Sequence, residues 1–389
     1  MMKKTMKPGS QLYRLMCLLS VAGEYPVKSL HLLGNKRMYR KLVKEGLSPL
    51  TVKNSETGET LSLPKLFNLC GRGKTKTIRL YAGALPILNW FGEGEYYESI
   101  THGYSLPMNA SHLDRNHRVG EALAVCMDGG IEILPHNLPK LQIGRRAYLI
   151  APGSPFFLTS RAIKQIGGED SEANKTNFTR MVGGLFAGNN CYCVFNTRDS
   201  VMKWSGEGEM KARINLDFIY EANAAYSVDR IHSAIIFGVS PEIAMGSIES
   251  TKKISRIEYR FDSQFWNIHY IPLNEYGARL LRFYTIPRWK EELLEILFDD
   301  EERTFGQCRF DYDALIPSEA GNKHVLSLLD CDLARLKRFK EALEAYPDVI
   351  GEIICYDWMA KFVQKYMEGS TAIIKQISFE FIEKEMFDG

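Results

Sequence analysis

The sequence predicts an α/β (α+β) protein: an N-terminal winged helix-turn-helix followed by a mixed α/β domain. Three observations carry that reading. Residues 11–46 divide into three short helical stretches punctuated by glycines; two strand-like runs with a basic, glycine-bearing tip follow; and from Ile131 onward apolar strand-like and helical runs alternate. Charge divides the same way. Residues 1–85 carry 16 Lys and Arg against 4 Asp and Glu, a balance of +12, so with the whole chain at +2 the remainder holds −10. A basic block on an acidic remainder suggests a surface for a polyanion, most commonly DNA.

The first predicted helix is Gln11–Ala22, with Leu12, Leu15, Met16 and Leu19 on one stripe and Gly23 as its stop. Pro26, tolerated in a first helical turn, opens a second at Val27–Leu33, and Gly34 supplies a turn. Asn35 suits the N-cap of a third helix, Lys36–Glu45, and Gly46 its C-terminal stop. At about 100° per residue, Lys36, Arg37, Arg40, Lys41 and Lys44 share one arc of roughly 140°. Met38, Tyr39, Leu42 and Val43 fill the opposite arc, and Glu45 lies between the two. An ordinary solvated helix face would mix Glu with its Lys; this one carries five cations and no acid.

Strand-like runs come next. Leu50–Lys53 and Thr60–Leu63 flank a turn at Asn54–Glu59, and Lys65–Leu69 and Thr75–Tyr81 flank Cys70–Lys74. In the second pair Arg72 and Lys74 sit at the tip with Lys76 and Arg79 behind it, as on a wing that holds phosphates while the third helix enters the major groove. Residues 82–100 suggest a helix ending near Gly92, Thr101–Met108 a boundary, and Asn109–Met127 a further helix with His112 and His117 as surface or interface histidines. The domains so read are 1–100 and 109–389, with a subdivision of the latter near 285–320.

In the remainder, strands are expected at 131–134, 146–150, 156–160, 191–196, 233–239, 265–273, 324–330 and 352–357. Helices are expected at 161–166, 207–225, 241–250, 289–298, 332–345 and 358–367. The eight cysteines include no CxxC pair; Cys191 and Cys193 fall on one face of an apolar strand, and the set suits a reducing cytoplasm. Lys3, Lys4 and Lys7 before an apolar run mimic a secretory leader, but Arg14 interrupts that run. No stretch of 18 apolar residues is present, so no membrane is expected as a partner.

Chemistry-bearing motifs are sparse. P-loop, GxGxxG, HExxH and GxSxG patterns are absent. Asp199 followed by Glu209-Met-Lys211 is the nearest match to a metal-dependent nuclease, in which two acids hold magnesium and a lysine assists the attacking water. Glu209 and Lys211 open a predicted helix, where residues two apart diverge. Asp311-Tyr-Asp313 and Asp330-Cys-Asp332 form two DxD pairs; the second suits a magnesium site, and suits a helix N-cap better.

QLYRLMCLLSVAGEYPVKSLHLLGNKRMYRKLVKEG at 11–46, TIRLYAGALPIL at 77–88 and HRVGEALAV at 117–125 together resemble the replication-relaxation family of plasmids and conjugative elements of Gram-positive bacteria. The resemblance spans residues 10–127 and implies DNA binding in plasmid replication or conjugative transfer. The family's downstream arginine-proline-aspartate stretch has no counterpart: Asn196–Asp199 comes nearest and lacks the proline. The sequence thus leads to a cytoplasmic, mobile-element protein that binds double-stranded DNA. No cofactor is expected outside the nuclease alternative, and a relaxase, a replication protein or a second copy of the chain is its expected protein partner. The alternatives are a nuclease of restriction-endonuclease-like fold and a winged helix that binds another polypeptide.

Overall fold

The computed structural model describes residues 2–103, 110–137, 155–166, 179–188, 190–204, 206–223, 231–254, 257–303, 311–319 and 321–388. The expected strand at 146–150 lies outside these, as does most of the expected boundary at 101–108. The chain begins with strand β1 (Met2–Met6) and helix α1 (Gln11–Ala22). The Ser10 hydroxyl accepts the Tyr13 N–H at the start of α1, and Gly23, at φ 77°, closes it. Then come β2 (Glu24–Pro26), a 3-10 helix over Val27–Leu33, and α2 (Lys36–Glu45), followed by β3 (Leu50–Asn54), β4 (Thr60–Leu63), β5 (Phe67–Cys70) and β6 (Thr77–Leu80).

These strands make two small sheets. In one, β3 pairs with β1 in parallel and with β4 as a hairpin; in the other, the β5–β6 hairpin is extended by β2 along β6. Neither β1 nor β2 was expected. The residues that mimic a leader form β1 and α1, and Leu15, Met16, Leu18 and Leu19 of α1 are wholly buried. Two details depart from the sequence reading. Val27–Leu33 winds as 3-10 rather than α-helix. Gly46 keeps a right-handed φ of −70°, and its need is space: a Cβ there would lie 2.5 Å from the Phe67 ring.

The single helix expected over 82–100 is broken. A 3-10 turn leads into α3 (Leu85–Asn89), Gly92 turns at φ 84°, and the chain resumes as α4 (Gly94–Gly103). The long α5 (Ala110–Asp128) then packs on α1, β2 and the 3-10 helix on one side and, on the other, on the strands at Met181–Ala187 and Asn190–Arg198 and the helix at Glu275–Phe283.

Beyond α5 follow β7 (Phe156–Thr159), α6 (Ser160–Ile166), β8 (Met181–Ala187), β9 (Asn190–Arg198), α7 (Glu207–Asn223), β10 (Ser233–Gly238), α8 (Pro241–Glu249), the ribbon β11 (Thr251–Ile254) and β12 (Ile257–Arg260), β13 (Asn267–Pro272), α9 (Glu275–Phe283) and α10 (Trp289–Leu297). The main sheet runs β13-β10-β9-β8-β7; β13, β10 and β9 are mutually parallel, and β8 and β7 are antiparallel. Helices cross over between the parallel strands, so β10 is covered on both faces and reads as an unbroken apolar run. The chain ends with β14 (Ala314–Ser318), β15 (Gly321–Ser327), α11 (Leu333–Ala345), β16 (Ile350–Tyr356), α12 (Asp357–Tyr366), β17 (Ile373–Ile377) and α13 (Phe379–Asp388). Here β15, β16 and β17 are parallel and β14 is an antiparallel edge. This is the mixed α/β architecture the sequence predicts. The expected strand at 131–134 does not form: Glu132 makes one isolated bridge with Phe156, and its own carboxylate takes the Ile133 and Leu134 N–H groups a neighbouring strand would have used. Among the described residues no helix is long and apolar enough to cross a membrane.

Candidate nucleic-acid interface and a buried His–Asp cluster

Helix α2 forms where the sequence places it because Asn35 accepts the Met38 N–H at 3.2 Å and Tyr39, Leu42 and Val43 bury against the N-terminal core. Lys36, Arg37, Arg40, Lys41 and Lys44 are all exposed. Lys41 is 3.9 Å from Glu45, which is held more closely by Lys4 at 2.6 Å; the other four form no ion pair among the described residues. The Lys4 bond keeps the Glu45 carboxyl below its ordinary value. Met38, assigned to the apolar arc, is instead 44% exposed.

The β5–β6 hairpin presents Arg72, Lys74 and Lys76 to solvent around a tip turn in which Gly71 takes φ 74° and the Thr75 hydroxyl donates to the Arg72 carbonyl at 2.8 Å. Arg79 does not join them. The β2–β6 register sets it directly across from Glu24, and its Nε and a terminal nitrogen donate to one Glu24 carboxylate oxygen at 2.9 and 2.7 Å. Glu24 is wholly buried, and its second oxygen accepts from Asn116 of α5 at 3.0 Å. Arg79 is therefore the counter-ion of a buried acid. The pairing stayed invisible because β2, three residues long, was not foreseen.

The nuclease trio is not brought together. Asp199 is exposed in the turn after β9; Glu209 is buried and accepts the Arg180 N–H at 2.7 Å; Lys211 reaches back one turn to Glu207 at 2.8 Å. Glu209 and Lys211 both belong to the opening of α7, where residues two apart point about 200° apart. His117, expected at the surface or an interface, is buried on α5 beside Arg198; burial first and that guanidinium second lower its pKa to about 4. His112 is exposed as expected. Cys191 and Cys193 are buried on β9, and burial pushes both thiols up; the described cysteines are all free.

The DxD acids are engaged. Arg338 donates to Asp311, and Arg335 donates to Asp313 at 2.7 Å. Asp332 caps α11, as the sequence favours: its Oδ1 accepts the Ile268, Ala334 and Arg335 N–H groups at 2.9, 3.0 and 3.2 Å. Sequence reasoning missed the two residues folded against this pair. His269, wholly buried on β13, has Nδ1 2.9 Å from the Asp330 carbonyl, and Nζ of Lys290, from α10, lies 3.0 Å from its Nε2 and 3.6 Å from Asp330 Oδ2. Burial and the Lys290 charge hold the imidazole below its ordinary value, so it is neutral near pH 7. For Asp330 burial acts against the charged form, and the surrounding cations outweigh it, keeping that carboxyl low. The only available signal for His269 was a histidine inside the apolar run FWNIHYIPL. Two non-glycine residues with left-handed backbone flank the cluster, Arg288 at φ 56° before α10 and Cys331 at φ 54° between the two acids.

No family model, curated protein or solved structure matches this chain.

Proposed function

We propose that the chain binds double-stranded DNA through a winged-helix arrangement of α1, the 3-10 helix, α2 and the β5–β6 hairpin. The observation that carries this is α2: five cations exposed together, opposite a buried apolar face, with an acid within 4 Å of one of them alone among the described residues. Such a face fits a groove lined by phosphates, α2 lying in the major groove with its cations on backbone and base edges. Arg72, Lys74 and Lys76 would hold the flanking backbone. The resemblance of residues 10–127 to replication-relaxation proteins supports a role in plasmid replication or conjugative transfer, with a relaxase or replication protein docking on the acidic remainder. Without assembly of Asp199, Glu209 and Lys211, nothing favours the nuclease alternative over binding.

The test is duplex binding against salt concentration, for the wild type and for Lys36→Ala/Arg40→Ala/Lys44→Ala. Each phosphate contact contributes about 0.9 to the slope of log affinity against log salt. The triple variant should lose up to about 2.7 of that slope. No binding at low salt, or a variant with the wild-type slope, would overturn the reading and favour a polypeptide as the ligand of α2.

A further inference from the structure

Among the described residues, one group brings three metal-ligating side chains together: a ring nitrogen of His269 and a carboxylate oxygen from each of Asp330 and Asp332, all within 4.8 Å of one another. They come from β13 and the loop between β15 and α11, so tertiary structure assembles them. A helix cap explains only part of this. Asp332 caps with Oδ1 alone, and its Oδ2, on a residue with no exposed surface, has no hydrogen-bond partner. An orphaned carboxylate oxygen at full burial calls for a cation or a donor. His269 Nδ1 donates to the Asp330 carbonyl and lies 3.6 Å from Asp330 Oδ2, which fixes the tautomer and leaves the Nε2 lone pair, facing Lys290, as the one free to ligate.

An ammonium already lies against two of the three groups. Lys290 donates to Nε2 at 3.0 Å and sits 3.6 Å from Asp330, yet its side chain keeps 34% of its surface exposed, so a path to solvent is open. With Lys290 swung out, Asp313, Asp330 and Asp332 face the Arg335 guanidinium, and these four groups leave a formal −2, the charge a dication cancels.

We propose that His269, Asp330 and Asp332 form a site for a first-row divalent cation, in which Lys290 serves as a built-in placeholder until the ion displaces it. One imidazole with two carboxylates suits Mn2+ or Zn2+ better than Mg2+ or Ca2+, which take oxygen ligands throughout. The proposal does not depend on DNA binding, and a failure of either reading leaves the other standing.

Full-length protein, freed of metal with a chelator, is titrated with Mn2+ and separately with Mg2+, by calorimetry and by the loss of the free-Mn2+ resonance signal. The wild type should bind one Mn2+ per chain in preference to Mg2+, and Lys290→Met should bind it about tenfold more tightly. Asp332→Asn keeps the capping oxygen and loses the charge; it should bind at least about tenfold more weakly while melting near the wild-type temperature. Absence of saturable Mn2+ binding in both the wild type and Lys290→Met would overturn the site, as would Asp332→Asn binding as tightly as wild type. Equal affinity of wild type and Lys290→Met would overturn the placeholder role.

Discussion

Glu24 lies wholly buried between the Arg79 guanidinium on the neighbouring strand and the Asn116 amide on α5. Removing one side of such a pair leaves a charge without compensation, a loss of about 3–5 kcal/mol. Arg79→Met should therefore lower the urea midpoint sharply, while the salt slope of duplex binding stays at the wild-type value, because Glu24 already holds the Arg79 guanidinium. A reduced slope would return Arg79 to the interface. His117 makes a second prediction, with a definite sign. Its pKa is about 4 in the fold against 6.5 for the free side chain, because burial and Arg198 disfavour the imidazolium; Asp114 opposes them, while Lys28 and Arg79 add to them. Below pH 6.5 the unfolded chain takes up a proton that the folded chain refuses. The contribution is thus fully present above that pH and lost as pH falls towards about 4. Urea unfolding at pH 7 and pH 5 should show lower stability at pH 5, and His117→Gln should shrink the difference.

The β5–β6 hairpin holds its cations in place through its tip. Gly71 takes φ 74°, and a Cβ there would lie 2.6 Å from the Thr75 carbonyl oxygen, which is backbone and cannot step aside cheaply. Gly71→Ala should reshape the tip and weaken duplex binding with every cation still present; unchanged affinity would place the tip outside the interface. Elements like α2 were legible because their signals are local: an Asn cap, an apolar triplet at helical spacing, a cationic stripe. Others were hidden because their determinants are tertiary. The β8 run MVGGLFA carries two glycines and reads poorly as a strand, yet a Cβ at Gly183 would lie 2.3 Å from the Leu158 carbonyl oxygen and one at Gly184 would press on Leu216. Gly277 obscured α9 in the same way, since its Cβ would lie 2.0 Å from the Pro272 carbonyl oxygen. β1 reads MKKTM, like a basic tail, and becomes a strand only by pairing with β3, almost fifty residues on. The His–Asp cluster was half legible: Asp330-Cys-Asp332 is a local motif, whereas His269 and Lys290 reach it only through the packing of β13 and α10 on that loop.

At the scale of the molecule, the sequence places a boundary near residues 101–108 and the packing ties the two sides together through α5. One hydrophobic core runs from Leu12 and Tyr25 through Leu123 and Val125 of α5 to the main sheet. Polar links follow the same path: Ser29 donates to Glu121 of α5, and Glu121 also receives the Arg198 guanidinium from the end of β9 at 2.8 Å. Arg198 is held at φ 55° and reaches Asp114 of α5 with its other terminal nitrogen, so α5 is gripped by both halves. A fragment of residues 1–103 would lose the α5 face that covers Tyr25 and the 3-10 helix, and would leave Glu24 without Asn116 and Ser29 without Glu121. Apolar surface returned to water costs about 25 cal/mol per Å2, and a domain of this size has little stability to lose. The fragment should therefore show no cooperative urea transition in the fluorescence of Trp90, its sole tryptophan, whereas a fragment of residues 1–130 that retains α5 should recover one. Cooperative unfolding of the shorter fragment would make residues 1–103 a self-sufficient domain, and α5 would then belong to the α/β half alone.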